Sequence, residues 1–231
     1  MAYYTQIPQL GKAEVLTTYA NGQKTIIKDV CKVFAKALNK RCKQDFQNIV
    51  VVDGGTGTGK STFSIHLARA IDPNWKLSEN YIYNVNDLKQ KLDNPRASPV
   101  SLFDEGSIIL SSKNSLRGDD KEIIGLFDTM RTRHWTTIIC CPSMFSLNKT
   151  LRTTHIDFRC LCPSESPIYG YQSRGFVHIH GHRRGDWNNN DFFPYLTTGV
   201  FDKLPRAVQT EYNEIKDLKQ TRLINDFIRE G

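Results

Sequence analysis

The chain has 231 residues, of which 39% are apolar, a size and composition typical of one α/β domain with modest extensions. It contains no apolar run of about eighteen residues, which excludes a predicted membrane-spanning helix. Its first residues, Met-Ala-Tyr-Tyr-Thr-Gln, lack the basic-then-apolar pattern of a secretory signal, so we expect a soluble, intracellular protein. The net charge of +7 favours a polyanionic partner.

Strands and helices alternate along most of the sequence. Residues 1–27 predict a short strand-and-turn region with Asn21-Gly22 as a hairpin signal, and residues 28–44 predict an amphipathic helix. The β-branched run in Asn48–Asp53 predicts a strand that is buried on both faces. The predicted elements that follow are a helix at 60–71, a strand at Tyr81–Tyr83, a helix at 86–92, a strand at Val100–Phe103, a helix at 120–131, a strand at Thr136–Cys141, a helical turn at Leu147–Thr153 and a strand at Ile156–Cys162.

The last third of the chain predicts a strand, a loop and a helix. Phe176–His182 predicts the strand, and residues 183–203, which are rich in Asn, Gly and aromatic residues, predict the loop. Residues 205–229 predict a long charged helix whose apolar stripe consists of Val208, Tyr212, Ile215, Leu223 and Phe227. The alternation predicts an α/β fold with a mainly parallel sheet flanked by helices. We expect its core at 46–182, with an N-terminal region at 1–45 and a C-terminal loop and helix at 183–231.

Residues Gly54–Ser61 match the phosphate-binding loop pattern G-x-x-x-x-G-K-[ST]. The match lies between a predicted strand and a predicted helix, as this loop requires. Glycines let backbone N–H groups wrap a phosphate, and the helix N-terminus adds partial positive charge. Lys60 is predicted to reach the β- and γ-phosphates of ATP, and the Ser61 hydroxyl to bind Mg²⁺. The predicted nucleotide-binding residues are Gly54, Gly55, Thr56, Gly57, Thr58, Gly59, Lys60, Ser61 and Thr62.

Two adjacent carboxylates follow the apolar strand Val100–Phe103. An acidic residue at this strand end is predicted to face the phosphate loop from a neighbouring strand. Asp104 is predicted to hold Mg²⁺ through water, and Glu105 to orient and polarise the attacking water. Two carboxylates at this position favour ATP hydrolysis over nucleotide binding alone. A solvated strand end is the alternative interpretation.

Polar and basic residues on either side of the strand Thr136–Cys141 are candidates for a γ-phosphate sensor and an arginine finger. Ser143, just after the strand, is a candidate sensor of the γ-phosphate, and a plain turn serine is the alternative. Arg131 and Arg133, just before it, could complete a neighbouring subunit's site as an arginine finger. A solvated basic helix end is the alternative for both arginines.

Three histidines and two cysteines raise the question of a zinc site. His178, His180 and His182 alternate along one predicted strand, and Cys160 and Cys162 precede them. The spacing does not match the paired C-x-x-C pattern of zinc sites, which favours a solvent-facing histidine stripe. All six cysteines are predicted to be reduced core residues: Cys31, Cys42, Cys140, Cys141, Cys160 and Cys162.

The stretch from Ile49 to Pro163 resembles the FtsK/HerA superfamily of DNA-pumping ATPases. The resemblance lies in the phosphate loop, in Leu102-Phe103-Asp104-Glu105, and in a helix that ends at Arg131 just before a strand. It continues through the turn Leu147–Thr153 to Arg159 near the start of the next strand. It implies a P-loop fold of the additional-strand catalytic-glutamate type, with Arg131 as the arginine finger and Arg159 as a structural or phosphate-contacting residue. Pro142 stands where the family usually has glutamine, so the sensor falls on Ser143.

The same resemblance implies a function. The small size and the lack of membrane segments resemble viral genome-packaging ATPases, which implies ATP-driven translocation of double-stranded DNA by a homo-oligomeric ring. The implied cofactors are ATP and Mg²⁺, the implied partner is a capsid vertex protein, and the implied location is the host cytoplasm or the virion. An assembly, secretion or regulatory ATPase that acts on a protein partner remains an alternative, as does a small-molecule kinase. Arg133, Arg152 and Arg159 are alternatives to Arg131 as the finger.

Overall fold

One ten-stranded sheet organises the part of the chain that the computed structural model describes, which comprises residues 3–4, 15–19, 22–94, 97–106, 110, 119–164, 175–182 and 193–230. The strands are β1 (Tyr3–Tyr4), β2 (Val15–Tyr19), β3 (Gly22–Ile27), β4 (Asn48–Asp53), β5 (Tyr81–Ile82), β6 (Val100–Phe103), β7 (Thr136–Cys141), β8 (Phe158–Leu161), β9 (Phe176–Gly181) and β10 (Tyr195–Val200). Their order across the sheet is β1-β2-β3-β10-β9-β8-β4-β7-β6-β5.

Half of the sheet, β8-β4-β7-β6-β5, is entirely parallel. Every residue of β4, β6 and β7 is buried, as expected for parallel strands that are covered on both faces. Strand β7 lies between β4, which leads into the phosphate loop, and β6, which ends at Asp104-Glu105. This inserted strand, together with the helices on both faces, confirms the predicted α/β P-loop fold. The carboxyl ends of β4, β6 and β7 therefore meet at one edge of the sheet.

The other half of the sheet is mostly antiparallel. Strands β8, β9 and β10 pair antiparallel in turn, β3 adds parallel to β10, and β2 and β1 complete this side. Tyr19 pairs with Gly22 across β2 and β3, which confirms the predicted hairpin, although Asn21 lies outside the described residues.

The prediction of a loop over the whole of 183–203 is wrong, because Tyr195–Val200 is strand β10. Its sequence is short and interrupted by Gly199, which weakens the strand signal. A Cβ at Gly199 would lie 2.3 Å from the Val30 Cβ, so this glycine lets a helix pack closely on the strand. Residues 183–192 lie outside the described part of the chain.

Helices cover both faces of the sheet: α1 (Val30–Cys42), α2 (Lys60–Ile71), α3 (Leu77–Asn80), α4 (Val85–Asp93), α5 (Asp119–Thr132) and α6 (Arg206–Glu230). Two short turns follow β7, a 3₁₀ turn at Met144–Ser146 and a π-helical turn at Leu151–His155. The turn predicted at Leu147–Thr153 therefore begins later than expected, and the strand predicted at Ile156–Cys162 is shorter. None of the described helices is both long and apolar enough to span a membrane.

Alternate residues of the central strand supply two separate cores. Val50 and Val52 belong to the core beneath α1 and α2, whereas Ile49 and Val51 belong to the core on the opposite face. The cysteines follow the prediction, since all six are free and five are buried, Cys42 being half-buried. The domain boundaries at 45 and 182 stay a prediction; the sheet takes strands from all three segments.

Candidate nucleotide-binding site

The loop Gly54–Ser61 joins β4 to α2 and carries a lysine at the start of the helix. Lys60 Nζ donates hydrogen bonds to the carbonyl oxygens of Gly54 at 2.9 Å and Gly55 at 2.8 Å. Gly54 has a φ of +147°, and a Cβ there would lie 2.2 Å from the backbone oxygen of Cys162. Only glycine fits this position, because a side chain would clash with the neighbouring strand end. The loop thus brings the Lys60 ammonium group close to the N-terminus of α2, and both favour the binding of an anion such as phosphate.

Asp104 and Ser61 meet, as the sequence predicts. Asp104 is 2% exposed, and its Oδ1 accepts a hydrogen bond from the Ser61 hydroxyl at 2.9 Å. A hydroxyl and a carboxylate oxygen are hard donors of the kind that Mg²⁺ prefers, and Mg²⁺ commonly uses one or two such protein groups together with substrate phosphates. The pair therefore fits Mg²⁺. The described residues contain no cluster of three or more His, Cys, Asp or Glu side chains arranged for a metal ion.

Glu105 adopts an unusual backbone conformation at the same strand end. Its φ is +64°, in the left-handed region that residues other than glycine rarely adopt. Strained residues of this kind cluster at functional sites, where surrounding contacts hold them in place. Its side chain is 37% exposed and lines the cavity in front of the phosphate loop. The position suits a carboxylate that must reach a water molecule.

Helix α6 closes the site from a distant part of the chain. The Tyr212 hydroxyl donates to Asp104 Oδ2 at 2.6 Å, and the Tyr81 hydroxyl donates to the same oxygen at 3.1 Å. Lys216 Nζ lies 3.3 Å from Glu105 Oε1. The sequence placed Tyr212 on the apolar stripe of the helix but gave no signal that it or Lys216 would reach the carboxylates.

The protonation of these groups is consistent with their roles as donors. Burial, and then the nearby Asp104 carboxylate, raise the pKa of Tyr81 and of Tyr212, so both hydroxyls keep their protons. Burial alone would lower the pKa of Lys216, but Asp104 and Glu105 outweigh it and raise that pKa. Lys216 therefore carries a positive charge at neutral pH.

A cavity of about 690 Å³ lies in front of these groups. Its volume is within the range of small-molecule and cofactor sites. One wall is formed by the phosphate loop with Asp104 and Glu105. Further lining residues come from the segment between β10 and α6 and from the start of α6: Phe201, Asp202, Lys203, Leu204, Arg206 and Gln209.

An ion pair that the sequence did not predict lies at the end of β4, directly before the phosphate loop. Arg159 Nε donates to both carboxylate oxygens of Asp53 at 3.1 Å, and Arg159 Nη2 donates to Oδ2 at 2.8 Å. Asp53 is the last residue of β4 and is 2% exposed. The Met144 N–H donates to the same carboxylate. Arg159 thus binds within its own subunit, which favours the structural role over a phosphate contact.

The other candidate residues lie away from the cavity wall or outside the described side chains. The Ser143 hydroxyl accepts a hydrogen bond from the Phe145 N–H at 3.2 Å, and Pro142 rather than Ser143 lines the cavity. Arg133 donates to the Leu92 carbonyl at 2.7 Å. Arg131 lies in α5, but its side chain is outside the described residues. The sensor and finger roles stay predictions.

The three histidines each hydrogen-bond to another part of the protein, so they are less solvent-facing than the sequence predicts. His178 Nδ1 bonds to the Thr198 hydroxyl at 2.6 Å, His180 Nδ1 to the Phe193 carbonyl, and His182 Nδ1 to the Ile156 carbonyl at 2.7 Å. The histidines are half-buried, and burial lowers the pKa of His180. Burial also raises the pKa of Cys162, to about 12. These contacts give no support to a zinc site.

Comparisons with known proteins reach only distant similarities. No protein-family model and no curated protein sequence matches the chain. The AAA domain of FIGL-1 is 17% identical over 59% of this chain, with a TM-score of 0.42, and the match spans 52% of that protein's chain, about half its length. The genome packaging NTPase B204 from Sulfolobus turreted icosahedral virus 2, in complex with ATP-γS, is 14% identical over 67% of this chain and 98% of its own, also with a TM-score of 0.42. At this distance neither carries an argument about function, and the fold rests on the strand order described above.

Proposed function

We propose that the chain is an ATPase whose site is the cavity between the phosphate loop and α6. The observation that carries this proposal is the hydrogen bond of 2.9 Å between Ser61 and Asp104, next to a Glu105 that faces the same cavity. ATP hydrolysis needs a pair of groups that binds the metal ion, a loop that binds the phosphates and a carboxylate that activates the attacking water.

Each residue has a distinct task in this proposal. Lys60 exchanges its two backbone acceptors for β- and γ-phosphate oxygens, which are stronger acceptors because they are charged. Ser61 and Asp104 would hold Mg²⁺, which would supply positive charge against the phosphates. Glu105 accepts a proton from the attacking water as general base. Phe201 and Leu204 supply apolar surface to the cavity lining, which suits contact with the ribose and base.

Two substitutions separate binding from hydrolysis. Lys60→Ala should weaken ATP binding and abolish hydrolysis, because the main positive charge on the phosphates is lost. Glu105→Gln should retain ATP binding and lower turnover by about 10²–10⁴-fold, since it removes only the general base. Glu79→Gln is the matched control, because Glu79 is exposed and pairs with Lys76 away from the cavity. Near-normal turnover in Glu105→Gln would contradict the proposal.

We propose further that hydrolysis drives translocation of double-stranded DNA. Helix α1 and its C-cap offer a surface for the DNA backbone, since four lysines are exposed on one face, three in the helix and one at its C-cap: Lys32, Lys36, Lys40 and Lys43. No acidic residue occurs between Val30 and Gln44. At about 1.5 Å per residue these lysines extend over about 16 Å, enough to follow several phosphates.

The opposite face of α1 explains why DNA suits this surface better than a membrane. Val30, Phe34 and Leu38 are buried against the core, so no apolar face of the helix is available to enter a bilayer. The exposed side of α1 therefore offers mainly positive charge for recognition, which favours sequence-tolerant contacts to phosphates.

The test replaces three lysines of this surface together, as Lys36→Gln, Lys40→Gln and Lys43→Gln. We expect weaker DNA binding and a slope of log affinity against log salt that is shallower by about 2.7, or about 0.9 for each lost phosphate contact. The matched triple Lys→Arg variant should retain both. ATPase activity without DNA should stay unchanged, whereas its stimulation by DNA should fall. An unchanged salt slope would refute this surface.

The wider role that we propose is the packaging of a viral genome by a homo-oligomeric ring. A capsid vertex protein would be the docking partner, in the host cytoplasm or at the virion. Stimulation of hydrolysis by DNA separates this function from a kinase or from an ATPase that acts on a protein. Mass photometry with ATP and DNA measures the assembly, and a monomer under all conditions would contradict the ring.

A further inference from the structure

Besides Lys60 of the phosphate loop, the site contains a lysine from helix α6 that lies next to the carboxylates of Asp104 and Glu105. Lys216 Nζ lies 3.3 Å from Glu105 Oε1 and 3.8 Å from Asp104 Oδ2, and its side chain is 26% exposed in the cavity wall. These distances are those of a charged hydrogen bond and an ion pair. In this structure Lys216 therefore balances part of the carboxylate charge.

The helix has other anchors, so its position does not depend on Lys216. The Tyr212 hydroxyl bonds to Asp104, and Lys219 Nζ lies 2.6 Å from Asp87 Oδ2 at the neighbouring helix α4. Val208 and Ile215 pack against the core. Because these contacts hold α6 in place, the ammonium group of Lys216 can change its partners without a movement of the helix.

ATP and Mg²⁺ would change the charges around this ammonium group. Mg²⁺ held by Ser61 and Asp104 would weaken the attraction between Lys216 and Asp104, and the γ-phosphate of ATP would bring negative charge into the same cavity. A lysine has three donors on a flexible stem, so it can turn to a phosphate oxygen while it stays near Glu105.

We propose that Lys216 is a catalytic residue that binds the γ-phosphate of ATP in its own subunit. This inference rests on the proposed ATPase function and names a cation, besides Lys60, that recognises the third phosphate. It also gives α6 a role in the chemistry, since Lys216 can stabilise the charge that spreads over the γ-phosphate in the transition state.

The experiment compares Lys216→Met with Lys219→Met, which removes a lysine of the same helix that contacts Asp87 instead. Calorimetry on the full chain measures the affinities for ATP-γS and for ADP with Mg²⁺ present. Lys216→Met should weaken ATP-γS binding by about 10- to 100-fold and leave ADP binding within about threefold, because ADP lacks the third phosphate. Lys219→Met should change both affinities alike. Lys216→Arg, which keeps a cation, should recover part of the preference for ATP-γS.

Four results would overturn the role of Lys216. Equal weakening of both nucleotides by Lys216→Met would show that the residue only positions α6. Faster turnover in this variant would show that Lys216 restrains Glu105 rather than assists it. If the wild-type chain hydrolyses ATP and Lys216→Met leaves the ATP-γS affinity unchanged, the role of Lys216 is refuted but the proposed function is not. A wild-type chain that binds neither nucleotide would refute the proposed function as well.

Discussion

The buried pair between Arg159 and Asp53 should govern the stability of the strand that carries the phosphate loop. Arg159→Met removes the guanidinium and leaves Asp53, which is 2% exposed, without its cation. Removal of one partner from a buried ion pair costs about 3–5 kcal/mol. The Arg159 side chain is 23% exposed, and the Met144 N–H still donates to Asp53, so we expect the lower end of that range.

About 3 kcal/mol corresponds to a melting temperature lower by about 6–12 °C in a chain of this size. Urea unfolding gives the free energy, and a calorimetric scan gives the melting temperature. The matched control is the double variant Asp53→Asn with Arg159→Met, which leaves no buried charge and should regain part of the loss. A melting temperature within about 1 °C of wild type in Arg159→Met, together with loss of ATPase activity, would refute a structural role and favour a phosphate contact.

Three further predictions concern other residues. Arg131→Ala should abolish most DNA-stimulated hydrolysis, and mixing it with Glu105→Gln should restore part of the activity if the arginine acts in the neighbouring subunit; no recovery in co-assembled mixtures would exclude that role. Burial lowers the pKa of Lys91 to about 7 from an ordinary value of 10.5. Between these pH values the unfolded chain binds a proton that the folded chain does not, so the free energy of unfolding should rise with pH there, and Lys91→Met should flatten that rise in urea titrations. Gly54→Ala should disrupt ATP binding because of its φ of +147° and a carbonyl oxygen 2.2 Å from the new Cβ, whereas Gly125→Ala, with nothing within 4 Å, should not lower thermal stability.

The sequence was most informative where the signal is local. Strands β4, β6 and β7 begin and end as predicted, because each is a short run dominated by apolar and β-branched residues that stops at a glycine, an acidic residue or a proline. The phosphate loop and Asp104-Glu105 are contiguous motifs, and parallel topology brings them together at one sheet edge. The contact between Ser61 and Asp104 follows from that topology.

The contacts that escaped prediction join residues far apart in the chain. Strand β10 is short, and its neighbour β3 comes from near the start of the chain. Arg159 was identified as a candidate, but its partner Asp53 is 106 positions away, and nothing in the sequence indicates the pairing. Tyr212 was placed on a buried stripe, yet a helical period shows only which side of a helix is apolar and not what that side contacts.

The distance along the chain between α6 and the carboxylates has a consequence for synthesis. Tyr212 reaches back 108 positions to Asp104, and Lys216 reaches back 111 positions to Glu105. During translation the parallel strands and the phosphate loop emerge from the ribosome well before α6, so these strands are available to fold first. The wall that α6 contributes to the cavity is added after them. A nascent chain therefore holds the phosphate loop before it holds Lys216, and the complete site forms only once α6 has emerged and packed against the strands.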